Sequence, residues 1–197
     1  MRTSDALRER LRSSLHPARG SAAPGPGRPA AVLVPLVEGE EPEVIFTRRT
    51  ADLRRHPGEI SFPGGMHDAG DGDLLATALR EAEEELGLSP HAVEVLGALE
   101  PISTYTTGFW VTAFVGALEE APTLTPNPDE IAEVFRVPVR VLDEVEAEVE
   151  WTREGQTWRG FVYEVDGHVI WGATGRMLHE FLEVYRMWDQ KDRQESP

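Results

Sequence analysis

The sequence predicts one domain of mixed α and β structure, with helices placed inside and after a series of strands. Three observations predict it. Short runs rich in Val, Ile and Phe, bounded by Gly, Pro and Asp, recur between residues 30 and 171. Two stretches carry apolar residues at helical spacing, one within the strand region (74–86) and one after it (173–188). The segment Ser21 to Pro29, rich in Pro and Gly, reads as a linker in front of the domain. Propensity alone stops at α/β or α+β.

Taken in order, residues 4 to 16 predict a short amphipathic helix, with Leu7, Leu11 and Leu15 at every fourth position, packed on its own domain. Residues 1–29 are therefore helix and linker, 30–188 the domain, and 189–197 a charged, frayed tail. Ala30 to Val37 reads as a buried strand, with Pro35 marking an irregularity or an exposed edge. Gly39 to Pro42 is a turn, and Val44 to Thr47 completes a hairpin. Val93 to Glu100 and Trp110 to Leu118 alternate as strands. The polar and aromatic loop between them, Ser103 to Phe109, either touches a ligand or is an ordinary surface hairpin. After a loop at Pro122 to Asp129 come a turn, a strand and a short helix over Arg140 to Val145. Glu146 to Trp151, Trp158 to Val165 and His168 to Trp171 are late strands, and Asp166-Gly167 is a type I′ turn signal. In the last helix Met177, Leu178, Phe181, Leu182, Tyr185 and Trp188 make an apolar side that belongs to the core.

The helix at 74–86 carries the chemistry. Asp71 or Asp73 can cap its start, and Gly87 sits where a left-handed residue ends a helix. Leu75, Leu79, Ala82 and Leu86 fall on one side. Glu81, Glu84 and Glu85 fall on another, at spacings that bring like charges together near the negative end of the helix dipole. For three glutamates alone a solvated acidic face is the commoner explanation. A bound divalent cation would reverse both penalties, and oxygen ligands suit magnesium or manganese. Glu130 or Glu133 either adds a further carboxylate or, as is commoner for such residues, serves the fold. Upstream, Arg48, Arg49, Arg54 and Arg55 crowd into eight residues of an acidic chain, a patch suited to phosphate oxygens.

Composition narrows the class. A formal charge of −16 over 197 residues argues against nucleic acid or an anionic membrane surface as partner, since both need a basic footprint. The chain has no cysteine, so it has neither disulfides nor thiolate chemistry. The apolar run Ala30 to Val37 is too short to span a bilayer and lies too far in for a signal, so a cytoplasmic protein is expected.

Residues 65–88 resemble the Nudix box: Gly, five residues, an acid, a spacer, then Arg-Glu-aliphatic-any-Glu-Glu-any-Gly-aliphatic. Arg80 to Leu88 fills the second half, with a small Ala82 at the aliphatic position. Asp71 stands where Glu is usual, and the gap from Asp71 to Arg80 is eight residues rather than seven. The preceding segment, Ile45-Phe46-Thr47-Arg48-Arg49, then Arg54, Gly58 and Phe62-Pro63-Gly64-Gly65, is similar to the signature before the box in coenzyme A diphosphatases. Thr50 and Phe46 depart from it. The run Ile170 to Thr174 is also similar to that branch.

The resemblance implies an α/β/α sandwich with a mixed sheet between the box helix and the last helix. It implies cleavage of the coenzyme A diphosphate to 3′,5′-ADP and 4′-phosphopantetheine, with Mg²⁺ or Mn²⁺ held by Glu81, Glu84, Glu85 and the Gly65 carbonyl. Arg80 would hold the box carboxylates in position. Glu84 or Glu130 would take the proton of water. Arg49 and Arg54 would bind substrate phosphate, in a site shaped by Gly58, Phe62 and Gly64. A Nudix hydrolase of ADP-ribose or an oxidised nucleotide is the alternative, and a non-catalytic nucleotide- or metal-binding module the third. The chain would be a monomer or a homodimer.

Overall fold

The computed structural model describes residues 3–18, 25, 27–51, 58–104, 108–153 and 156–195; the side chains of 3, 4, 151, 153, 156 and 188–195 lie outside the description. Arg54 and Arg55, Tyr105 to Thr107, most of the linker and the side chain of Trp188 fall outside the described residues.

The centre of the molecule is strand β1 (Arg28–Val37). It pairs in parallel with β7 (Phe109–Leu118) over ten residues, from Arg28 opposite Phe109 to Val37 opposite Leu118. Its other side changes partner along its length. The first half meets β4 (Gly64–Met66), and Leu36 and Val37 meet β2 (Glu43–Arg49). Pro35, which has no N–H to donate, falls where neither partner is paired, so it marks an irregularity inside the sheet rather than an edge. Strand β3 (Ile60–Ser61) and β8 (Ile131–Pro138) flank β2, while β5 (Glu94–Ala98) and β6 (Ile102–Ser103) pair with β7. All of these pairings except β1–β7 are antiparallel, which makes the eight-stranded sheet mixed, as expected.

Helix α2 (Leu74–Leu86) covers one face, with Leu74, Ala78, Ala82 and Leu86 packed on Ala31, Leu33, Ile45 and Phe114. The opposite face carries Val34, Leu36, Phe46 and Val115, covered by Met177, Leu178, Phe181 and Leu182 of α4 (Gly172–Glu195) and by Leu7 and Leu11 of α1 (Thr3–Ser14). Each such side chain removed from water stabilises by roughly 1.5–3 kcal/mol. The N-terminal helix is thus part of the core. α4 extends through Glu195, beyond the boundary expected at residue 188.

A short helix, α3 (Val139–Val145), leads to strands β9 (Glu146–Arg153), β10 (Gln156–Val165) and β11 (His168–Ile170). These form a separate antiparallel sheet, whose turn at Asp166-Gly167 has φ of 50° and 80°, as a type I′ turn requires. No helix among the described residues is long and apolar enough to cross a membrane.

Candidate active site

The site lies where the loop before α2 meets the helix itself. Asp73 takes the N-cap, accepting from the Ala76 amide at 2.8 Å, and Gly87 ends the helix at φ 66°. Asp71 is left for another task. Its carboxylate receives Arg80 Nε at 2.8 Å and Arg80 Nη2 at 3.1 Å, and Thr77 donates its hydroxyl at 2.8 Å. The same guanidinium lies 3.0 Å from Glu81 and 2.9 Å from Glu84. Arg80 is therefore paired with three carboxylates at once. These bonds hold the Asp71 carboxyl well below the usual range and push Arg80 up.

The three box glutamates do not share one exposed face. The buried side of α2 runs through Leu74, Ala78, Ala82, Glu85 and Leu86, while Leu75 and Leu79 are only half-buried. Glu85 is 2% exposed. It is taken into the interior because two donors meet it there, the Gly64 amide at 3.2 Å and Arg49 Nη1 at 3.3 Å. Burial outweighs both and pushes its carboxyl up to about 7; Glu81 is raised for the same reason against the pull of Arg80. Glu84 stands outside, with 58% of its side chain exposed, tied to Arg80.

Arg49, Gly64, Gly65, Glu81, Glu85 and Glu130 line one cavity of about 380 Å³. Its other wall is apolar, made by Val32, Phe62, Phe109, Val111, Ala173 and Met177. Glu130 enters from the loop before β8, half-buried, near the Asn127 amide at 3.4 Å. Glu133 does not reach the cavity; it pairs with Arg48 at 2.7 Å and faces His168 at 3.3 Å. Phe62 contributes from the core, 1% exposed and stacked on Phe46 at 5.2 Å. Gly58 lies beside a second cavity, at φ 71° with open space around it.

The paired glycines allow two close approaches. A Cβ on Gly65 would lie 2.5 Å from the Glu81 carboxylate. A Cβ on Gly64 would overlap the Ala31 carbonyl and lie 2.6 Å from Val32 Cα, both backbone atoms that cannot swing aside. Gly64→Ala is expected to push β4 off β1, cost about 1–3 kcal/mol and pull the Gly64 amide from Glu85. Thermal melts check this; Gly58→Ala, in open space, should cost less despite its positive φ. An unchanged melt for Gly64→Ala would show that β4 moves freely.

By chemistry the donors fit a hard divalent cation. Glu81, Glu85 and Glu130 offer only oxygen, and Gly65 leaves its backbone uncovered beside Glu81. They are not gathered on one point: among the described residues no three acidic or histidine side chains form a metal cluster, since arginines hold Glu81, Glu84 and Glu85.

The family model described as NUDIX domain matches residues 27–159. The chain belongs to the Nudix family. Uncharacterized Nudix hydrolases NudL are among its relatives. That of Photorhabdus laumondii is 39% identical over 158 residues, 79% of this chain and 84% of its own length. That of Pectobacterium atrosepticum is 40% identical over 158 residues, 78% of this chain and 80% of its own. The NUDIX domain of Shewanella oneidensis NrtR, complexed with ADP ribose, superposes with a TM-score of 0.51 at 14% identity, covering 95% of this chain and 98% of that one. A MutT protein from Methanosarcina mazei gives 0.50 at 15% identity, over 87% and 99%. These two likenesses show the Nudix fold.

As a Nudix hydrolase, the chain has two of its box glutamates, Glu81 and Glu85, at the cavity that the fold builds. Sequence reasoning missed the apolar wall from α4. Ala173 and Met177 recur four residues apart on the helix, a spacing that flags a shared face but not what that face meets. It also missed the role of Asp71 as the buried partner of Arg80.

Proposed function

We propose that this Nudix hydrolase cleaves the diphosphate of coenzyme A or its derivatives, releasing 3′,5′-ADP and 4′-phosphopantetheine. The observation that carries the reading is the two-sided cavity, with arginine and carboxylates at one end and an apolar wall at the other. A diphosphate joined to a long, weakly polar arm has the same two sides. The segment similar to the coenzyme A diphosphatase signature supplies both: Arg49 and Gly64-Gly65 at the charged end, Phe62 in the wall.

The chemistry is water addition at one phosphorus with loss of the bridging oxygen. Glu81, Glu85 and the Gly65 carbonyl would hold Mg²⁺ or Mn²⁺, with Glu84 able to join them on leaving Arg80. Such an ion supplies neutralisation of the diphosphate charge that repels an attacking water. Arg49, 22% exposed at the cavity, presents its guanidinium to a phosphate oxygen. Glu130 takes the proton that water loses, and the bridging oxygen leaves on the other product phosphate. Arg80 keeps Glu81 turned toward the cavity.

The test is product analysis of coenzyme A, ADP-ribose and nucleoside triphosphates, with Mg²⁺, with Mn²⁺ and with chelator. Metal-dependent appearance of 3′,5′-ADP and 4′-phosphopantetheine from coenzyme A is expected. Intact coenzyme A beside a cleaved alternative would overturn the reading.

A further inference from the structure

A second cavity of about 560 Å³ adjoins the first, and Glu59 and Ile60 line both. The ridge between them is pinned where Thr174 Oγ1 of α4 donates to the Ile60 carbonyl at 3.2 Å. The residues just before that pin, Val169 and Trp171, face the second cavity; those just after it, Ala173 and Met177, face the first. A ligand lying across the ridge therefore reaches both.

The lining of the second cavity says what it takes. Trp171 is 55% exposed and Val169 47%, so an indole and an aliphatic group stand in water at the mouth of a concave surface. Among the described residues of the lining Arg48 is the one permanent cation, and it is already paired with Glu133. Asp166, an exposed carboxylate on the β10–β11 turn, adds an acceptor. Such a surface suits a flat neutral ring that stacks on indole and donates N–H to a carboxylate, and a nucleobase with an exocyclic amino group is that ring.

We infer that this cavity is a nucleobase subsite for adenine, with Trp171 as its stacking platform and Asp166 as the acceptor for the amino group. The inference takes from the proposed function only that the substrate carries an adenine nucleotide; coenzyme A and ADP-ribose both qualify. The base lies beyond the ridge, and the diphosphate lies in the first cavity beside Glu81, Glu85 and Glu130.

The experiment is calorimetric binding of 3′,5′-ADP and of its inosine counterpart to the full chain in chelator, for wild type, Trp171→Ala, Trp171→Phe and Asp166→Asn. Trp171→Ala is expected to weaken 3′,5′-ADP by about tenfold or more, a loss typical of a base losing its aromatic platform. Trp171→Phe should restore most of it. Asp166→Asn, which tolerates the positive φ of this turn, should narrow the preference for adenosine over inosine. In turnover, Trp171→Ala should raise KM and leave kcat within about threefold.

Equal binding by wild type and Trp171→Ala, with circular dichroism and melts unchanged, would overturn the inference. So would a dimer lost on Trp171→Ala, which would make the indole an interface residue. If the wild type binds 3′,5′-ADP through Trp171 yet leaves coenzyme A intact, the subsite stands and the proposed substrate falls.

Discussion

Glu130→Gln is expected to lower kcat by about 10²–10⁴-fold, the usual cost of losing a positioned proton acceptor. The loss should come without loss of fold. Among the described residues its side chain accepts one long hydrogen bond, from Asn127 Nδ2 at 3.4 Å, and Gln preserves its shape. The loop depends on the backbone instead: the Glu130 amide donates to Asn127 O at 3.1 Å, and its carbonyl accepts from Thr50 N at 2.9 Å. The informative companion is Glu133→Gln. Three residues away, that carboxylate faces Arg48 and His168 outside the charged cavity, so its kcat should stay near normal. Steady-state kinetics on both variants decide the matter. Near-normal turnover in Glu130→Gln, or equal losses in the two, would remove Glu130 from the chemistry.

That contrast also marks where the sequence stops being legible. As a source of a further carboxylate, Glu130 and Glu133 are interchangeable in the sequence, because spacing along a chain does not say which side chain faces a cavity. The difference is made by the register of β8 against β2, which sets Glu133 opposite Arg48. Local signals did carry through: Asp73 and Gly87 cap α2, and Asp166-Gly167 turns the β10–β11 hairpin, because caps and turns depend on a few neighbouring residues. The rotation of α2 did not carry through. Its apolar stripe alone would have left Glu85 in solvent; it is buried because Gly64 and Arg49, far away in sequence, supply donors to it. The parallel pairing of β1 with β7 joins segments that have five other strands and α2 between them in the chain, and no local pattern records it.

Arg80→Ala should be the most damaging single change to stability at the site. Asp71 keeps only 6% of its side chain in water and loses both guanidinium bonds. Stranding one partner of a buried pair costs about 3–5 kcal/mol, and the 31% exposure of Arg80 lowers the expected loss to about 2–3 kcal/mol. Turnover should fall as well, since Glu81 and Glu84 lose the group that orients them. Adding Asp71→Asn to Arg80→Ala removes the stranded charge and should recover part of the stability but little of the turnover. Denaturant unfolding of the two single variants and the double variant measures the coupling. If Arg80→Ala melts like wild type, the Asp71 contact holds nothing in place.

The ten-residue parallel ladder between β1 and β7 also governs the order of assembly. Contacts between distant segments form slowly, because a long loop must close before any of them is made. Here that loop holds β2, β3, β4 and α2, and with them almost the whole charged end of the cavity. A chain emerging from the ribosome can form the acidic helix early. Until Phe109 to Leu118 has been made, however, one edge of β1 has no partner, and an open apolar strand edge is a template for aggregation.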